Sequence, residues 1–235
     1  MYLWIIATLC AFFIKGLCGF ANTLVFTSIL SFGANNINIS PVELVLGYPT
    51  NLILALKERK QISWWMCLPL AVLVILGSIP GVFVLKNVDT GIVKTIFGFI
   101  IILLGIEMLL REFHPKQMKQ SMPMLILVGI LSGLLCGLYG VGALLGAYLS
   151  RVTDNTHSFK ANICVVFLVE NTFRIVLYAC TGILHLAILK KALILAPFML
   201  IGLFGGMFAG NILNEKLIKR LVILLLIISG FALIF

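Results

Sequence analysis

The chain has 235 residues, of which 62% are hydrophobic and 11% are charged, and its mean hydropathy is +1.19. Soluble domains carry roughly 45–50% apolar and about 25% charged residues, so this chain has too few polar side chains to cover a water-exposed surface. The composition predicts a polytopic membrane protein and excludes a separate soluble catalytic or nucleic-acid-binding domain. The net charge of +9 is expected to set membrane orientation and not to bind nucleic acid.

Polar and charged residues divide the chain into ten apolar segments. In order, these are about residues 1–15, 20–34, 42–56, 64–85, 92–110, 123–136, 140–150, 161–180, 191–210 and 221–235. All are expected to be helical, because an open strand cannot satisfy its backbone hydrogen bonds in lipid. The first two segments, and the sixth and seventh, are too short to span comfortably, and glycines join each pair. We therefore predict an all-α integral membrane protein with short broken or re-entrant helices at the start of each half.

Glycines recur in the same order in both halves of the chain. The matching pairs are Gly16 and Gly137, Gly19 and Gly140, Gly77 and Gly202, and Gly81 and Gly206. Their nearly constant offsets, 121 and then 125 residues, indicate a duplication. We predict a first membrane repeat over 1–115, a cytoplasmic linker over 116–122 and a second membrane repeat over 123–235.

Basic residues near the segment ends are distributed unevenly. Eleven lie in one alternate set of loops and four in the other, so the set of eleven is expected to face the cytoplasm. Equivalent loops of the two halves then fall on opposite sides of the membrane, with residues 57–60 inside and 181–185 outside. This predicts two inverted repeats of five segments, an arrangement typical of secondary transporters. An eight-helix arrangement of four plus four is the alternative.

The pattern that begins each half resembles the TauE/SafE sulfite exporter family of bacterial membrane permeases. It consists of Gly16, Gly19 and Phe20 in the first half and of Gly137, Gly140, Val141 and Gly142 in the second. The resemblance covers nearly the whole chain. It implies a multi-pass protein of the bacterial inner membrane that transports small anions, chiefly sulfur oxyanions and organosulfonates. The chain departs from the family at Ala21 and Asn22, where the family favours glycine.

The two glycine clusters are candidate anion sites. A broken helix leaves backbone N–H groups unpaired, and its N-terminus carries about half a positive charge, so it attracts an anion. Glycine also permits the sharp turn and the close approach of a ligand. The substrate-binding residues predicted at the breaks are Gly19, Phe20, Ala21, Asn22, Thr23, Gly140, Val141 and Gly142. Helix packing alone is the alternative role of these glycines.

Glu170 and Arg174 lie four residues apart, on one face of an apolar helix. Ionised groups at membrane depth cost at least about 2.5–3.5 kcal/mol on insertion scales, so they face a bundle interior or a wet cavity. Arg174 is expected to hold an oxyanion, with Asn171 beside it, and Glu170 to release the anion or take a proton. A structural ion pair is the alternative. In the first half, Thr50 and Asn51 are expected to line the same cavity.

Lys15 precedes the first glycine cluster, and we expect it to snorkel to the interface, although a charge at the site is the alternative. No metal or cofactor is expected, because the three histidines are dispersed and no Cys-x-x-Cys pair occurs. The sequence also has neither a Walker A loop nor a His-Glu-x-x-His motif, so we expect a gradient-driven transporter and not an enzyme. The expected partners are a small anion and membrane lipid. Proton or sodium coupling stays open, and the alternative functions are a permease for another small organic anion and a non-transporting helical scaffold subunit.

Overall fold

The computed structural model describes residues 1–30, 36–87, 122–140, 142–153 and 155–214, with further positions between 95 and 110 and between 216 and 231. Every element with complete bounds in these ranges is helical. They are α1 (Tyr2–Cys18), α2 (Asn22–Leu30), α3 (Asn36–Lys57), a 3-10 turn (Arg59–Gln61), α4 (Trp64–Asn87), α5 (Met122–Tyr139), α6 (Ala143–Val152), α7 (Thr156–Cys180) and α8 (Leu186–Ile212). The predicted segments 92–110 and 221–235 and the linker 116–122 fall partly outside the described residues, so the count of ten segments stays a prediction.

Four helical stretches are long and apolar enough to cross a bilayer, which takes about 20 residues. They are Ile39–Lys57, Trp64–Phe83, Thr156–Cys180 and Leu186–Ile212. Large apolar side chains on these helices face outward, with Trp65 at 92% and Leu193 at 75% of their full exposure. Such surfaces are stable against lipid tails and not against water. The chain is therefore an all-helical membrane protein over its described residues.

Helices α3 and α7 pack against each other in antiparallel orientation. Ser40, near the start of α3, shares a 3.1 Å hydrogen bond with Tyr178, near the end of α7. At the opposite end, the carboxylate of Glu58 lies 3.0 Å from Nδ1 of His157, at the start of α7. Residues 57–60 and residues 181–185 therefore lie at opposite ends of this helix pair.

Glycines bring the backbones of α1 and α8 into contact. A Cβ built on Gly202 would lie 2.7 Å from the carbonyl oxygen of Leu9, and one on Gly206 would lie 2.0 Å from that of Phe13. Residues with side chains would force these helices apart, so the glycines are required for the close packing. Because the contacts advance together along both helices, α1 and α8 run in parallel.

Helices α4 and α5 pack in the same way. A Cβ on Gly133 would lie 2.1 Å from the carbonyl oxygen of Val74, and one on Gly137 would lie 2.4 Å from that of Ser78. These two helices also run in parallel. The glycines of α8 and of α5 therefore form two glycine rows, which serve two separate but similar helix pairs.

The short helices α2 and α6 follow the two glycine clusters and face the centre of the bundle. α2 packs against α1 and α3, and α6 packs against α5 and α7. The ring of Trp4, near the start of α1, meets that of Phe26 in α2 edge-on, with centroids 5.8 Å apart. Since Trp4 lies far along α1 from the break, α2 folds back beside α1 and does not continue its axis.

Candidate functional site

Both glycine clusters interrupt helices in the same way. α1 ends at Cys18, and Gly19 has a left-handed φ of 87° and donates its N–H to the carbonyl of Lys15 at 2.7 Å. α5 ends at Tyr139, and Gly140 has a φ of 71° and donates to Cys136 at 2.7 Å. Glycine adopts this conformation without the steric penalty that other residues pay. The two breaks therefore share one capping geometry, 121 residues apart.

The breaks meet at a narrow cavity. It contains about 340 Å³ of space outside the protein atoms, little of which is wide enough for a water molecule. Its walls come from α1, α2, α3, α6 and α7 and from the two breaks. The lining residues are Lys15, Phe20, Ala21, Asn22, Thr23, Leu24, Glu43, Asn51, Gly140, Gly142, Ala143, Phe167, Asn171 and Arg174. The first residues of α2 and α6 both line the cavity, so unpaired N–H groups of two helix N-termini border it.

Arg174 is the largest of the fully buried side chains. Its guanidinium donates from Nη1 to the carbonyl of Cys136, at the end of α5, and from Nη2 to Oδ1 of Asn171 at 2.9 Å. Its Nε lies 3.4 Å from Oε1 of Glu170, one turn away on the same helix. The i, i+4 pairing predicted from the sequence is present. The pair has close to no solvent exposure, as a charged pair at membrane depth requires.

Glu43 enters the cavity from α3 and is 3% exposed. Asn22, the first residue of α2, donates its side-chain amide to Oε1 of Glu43, and Thr23 hydrogen-bonds to the same carboxylate. A Cβ on Gly140 would lie 2.7 Å from Nη1 of Arg174 and 3.2 Å from Oε2 of Glu43. The second glycine break therefore leaves room for a cation and a carboxylate to approach each other from facing helices.

Lys15 lies inside the protein and does not snorkel. Its side chain is 1% exposed and lines the cavity, and its ammonium lies 3.5 Å from the carbonyl oxygen of Gly47 in α3. The expectation of an interfacial lysine was wrong because α1 ends in the interior of the bundle, so its last turn is remote from either surface. The structure thus places a second basic side chain in the wall of the cavity that Arg174 lines.

Several buried polar atoms around the cavity have no hydrogen-bond partner among the described residues. They are Oδ1 of Asn51 and both carboxylate oxygens of Glu170, whose ion pair with Arg174 is longer than a hydrogen bond. Such unsatisfied groups are rare in native interiors and commonly accept bonds from water, an ion or a ligand. Together with two basic side chains and two helix N-termini, they form a polar site whose groups can interact with a small charged species.

Most of the residues predicted from the sequence meet at this cavity. Those that line it are Phe20, Ala21, Asn22, Thr23, Asn51, Gly140, Gly142, Asn171 and Arg174. Glu170 and Gly19 lie behind the wall, where they pair with Arg174 and cap α1. Thr50 does not line the cavity, because its hydroxyl donates to the carbonyl of Gly47 in its own helix at 2.6 Å. Val141 lies outside the described residues.

Lys15 and Glu43 are the two charged lining residues that the sequence-based site lacks. Glu43 is an isolated carboxylate in the apolar stretch 42–56, which is the same pattern that identified Glu170. The sequence therefore contained the evidence for it. Phe167, which closes the cavity against Gly142, carries no pattern that separates it from the other apolar residues of its helix. Within the described residues, no group of three His, Cys, Asp or Glu side chains is arranged to hold a metal ion.

A comparison with protein-family models gives a match over residues 4–233, nearly the whole chain. The matching family is described as sulfite exporter TauE/SafE. Searches of curated proteins and of solved structures gave no match. The match and the resemblance noted in the glycine clusters point to the same family.

Proposed function

The chain belongs to the TauE/SafE sulfite exporter family, and on this premise we propose that it is a secondary transporter of small sulfur oxyanions or organosulfonates. The family and the apolar helices establish a membrane transporter. The proposal adds the substrate class and the site, which is the cavity between the two helix breaks. Location in the bacterial inner membrane, with the more basic loops in the cytoplasm, is part of the proposal.

The observation that carries the proposal is the meeting of two helix N-termini and two buried cations at one cavity. Arg174 presents a planar guanidinium suited to an oxyanion, and Lys15 adds a second charge. The apolar walls, Phe20 and Phe167, suit the carbon part of a sulfonate. Little of the cavity is wide enough for a water molecule, so we propose that it must widen to take a passenger.

Inverted repeats are also part of the proposal, and the helix contacts support them. Exchanging the two halves turns the α1–α8 contact into the α5–α4 contact, and both pairs are parallel and joined through glycine. It likewise turns the α1–α2–α3 contacts into those of α5–α6–α7. The α3–α7 contact maps onto itself, and that pair is antiparallel. Equivalent helices that run in opposite directions are what inverted repeats require.

The test is transport by the purified chain in liposomes. Vesicles are loaded with sulfite, thiosulfate, sulfate, sulfoacetate or lactate, and the efflux of each anion is measured against protein-free vesicles. We expect faster efflux of one or more of the sulfur-containing anions. Transport of lactate alone would favour a permease for other organic anions. The absence of both transport and anion-dependent thermal stabilisation would favour a non-transporting helical scaffold.

A further inference from the structure

Among the described residues, three charged side chains line the cavity and a fourth, Glu170, pairs with one of them, and their formal charges cancel. Lys15 and Arg174 supply two positive charges, and Glu43 and Glu170 supply two negative charges. Each is at most 3% exposed. Each half of the chain contributes one cation and one carboxylate, although the residues do not occupy equivalent positions. With all four groups ionised, the site has no net formal charge before a passenger enters.

The helix ends do not change this balance. α2 and α6 direct their N-termini to the cavity, with about half a positive charge each. α1 and α5 end at the same two breaks, and their C-termini bring opposite partial charges of similar size. A monoanion that enters would thus leave one uncompensated negative charge in a buried site. Buried groups ordinarily avoid such a charge by taking up a proton.

On the basis of the proposed function, we propose that Glu43 binds one proton when a monoanion binds, so that anion and proton cross the membrane together. The proton comes from the solution on the side from which the anion enters, and it leaves from the carboxyl group on the opposite side. No bond of the anion is made or broken. One cycle therefore moves no net charge.

Glu43 is better placed for this role than Glu170. Its carboxylate lines the cavity, and Asn22 and Thr23 at the start of α2 hold it there. Glu170 lies behind Arg174, is paired with it on the same helix, and is not among the lining residues. An anion that attracts Arg174 and Lys15 weakens their attraction to Glu43. Glu43 is therefore expected to lose its compensating charge before Glu170 does.

The surroundings of Glu43 contain few other candidates for the proton. The titratable groups that face it are Lys15 on α1, Cys136 on α5, and Glu170, Arg174 and Tyr178 on α7. α2 contributes the uncharged Asn22 and Thr23, and α8 packs in this region with the apolar Leu195 and Met199. In the empty site, burial opposes the ionised form of Glu43, and the two basic side chains stabilise it. A bound anion weakens this stabilisation.

The experiment uses isethionate, a sulfonate that stays a monoanion across the neutral pH range, so that its own titration cannot imitate coupling. Liposomes that contain the chain are held at equal pH on both sides and at about 100 mV, interior negative, with potassium and valinomycin. Uncoupled isethionate would equilibrate at an outside-to-inside ratio of about 50. Coupled transport keeps the ratio near one, and efflux makes the lumen alkaline. A wild-type ratio near 50 would overturn the inference and leave the proposed function intact.

Substitutions test which residue carries the proton. Glu43→Gln keeps the acceptor for Asn22 and is expected to exchange isethionate, to lose luminal alkalinisation and to shift the ratio from about one to about 50. Glu58→Gln, on the same helix but paired with His157 away from the cavity, is the matched control and should behave as wild type. Coupling that persists in Glu43→Gln, or is lost in Glu170→Gln instead, would contradict the assignment. If wild type moves no anion, the proposed function fails, and this inference fails with it.

Discussion

At the scale of single residues, Arg174 connects the site to the helices that frame it. Its guanidinium caps the C-terminal end of α5 through the carbonyl of Cys136, pairs with Glu170 and faces the cavity. A buried cation with this many partners is costly to remove, because each partner loses a charge-assisted bond worth about 1.5–3 kcal/mol. If a variant that lacks only Arg174 loses transport, the cause could be that the anion has lost its ligand or that the carboxylate of Glu170 has lost its partner.

We expect Arg174→Ala to reduce sulfonate flux in liposomes by at least about tenfold, which corresponds to the loss of one such charge-assisted bond to the passenger. The double variant Glu170→Gln with Arg174→Ala removes the stranded carboxylate as well. If Arg174 binds the anion, the double variant stays inactive although its thermal stability recovers. Recovery of flux in the double variant would show that Arg174 serves only to neutralise Glu170.

The sequence predicted several polar residues of the site, but it did not predict how far from the membrane surface Lys15 lies. Arg174, Asn171 and Asn51 were predicted because polar residues in an apolar helix are expensive and must face one another. Lys15 was misplaced, because the distance of a residue from the membrane surface depends on where α1 ends relative to the other helices. That position follows from contacts between distant parts of the chain, such as those between α1 and α8, which a local pattern does not contain.

At the scale of helices, the glycine rows determine how closely neighbours approach. Gly205 and Gly206 are adjacent in α8 and differ in their surroundings. A Cβ on Gly206 would lie 2.0 Å from the backbone oxygen of Phe13, whereas one on Gly205 would lie 3.6 Å from that residue's ring, an ordinary contact. Alanine substitutions at these two adjacent positions should therefore distinguish the effect of helix packing on stability from the effect of helix propensity.

We expect Gly206→Ala to destabilise the protein by about 1–3 kcal/mol, since α1 and α8 would have to move apart. Gly205→Ala should have no destabilising effect, because alanine favours the helix and meets no backbone. Thermal unfolding in detergent compares the two variants with wild type. Equal effects of both substitutions would contradict the contact geometry of α1 and α8.

Two helices begin earlier in the structure than the sequence predicts. The predicted segment 161–180 begins in the structure at Thr156, because the side chain of Asn155 accepts the backbone N–H of Ser158 at 2.8 Å and caps the helix. The predicted segment 42–56 likewise begins earlier, at Asn36. The polar residues that precede this segment predict a loop, whereas Ser40 is buried against Tyr178 in the protein interior.

At the scale of the whole molecule, the orientation of the two halves is open to a direct test. Single cysteines at position 58 and at position 184, in place of glutamate and leucine, lie near opposite ends of the α3–α7 pair. We expect a membrane-impermeant thiol reagent to label them from opposite faces. Alanine replaces the exposed Cys10 and Cys180 in both variants, and the other native cysteines are buried.

Labelling of both positions from the same face would contradict the inverted repeats and favour an eight-helix arrangement of four plus four. The proposed duplication rests on the spacing of glycines, which are required wherever two helix backbones touch. The positions of Lys15, Glu43, Glu170 and Arg174 do not repeat. The positions of these charged residues therefore could not be predicted by comparing the two halves.

The binding site itself can be located with 2-bromoethanesulfonate, a small sulfonate whose bromine gives anomalous scattering. Crystals of the chain grown with this anion are predicted to show a bromine peak in the cavity between Asn22, Gly140 and Arg174, and an excess of a transported sulfonate should remove it. A cavity that stays without a bromine peak at concentrations at which the anion is transported, or a peak only at the protein surface, would contradict the account.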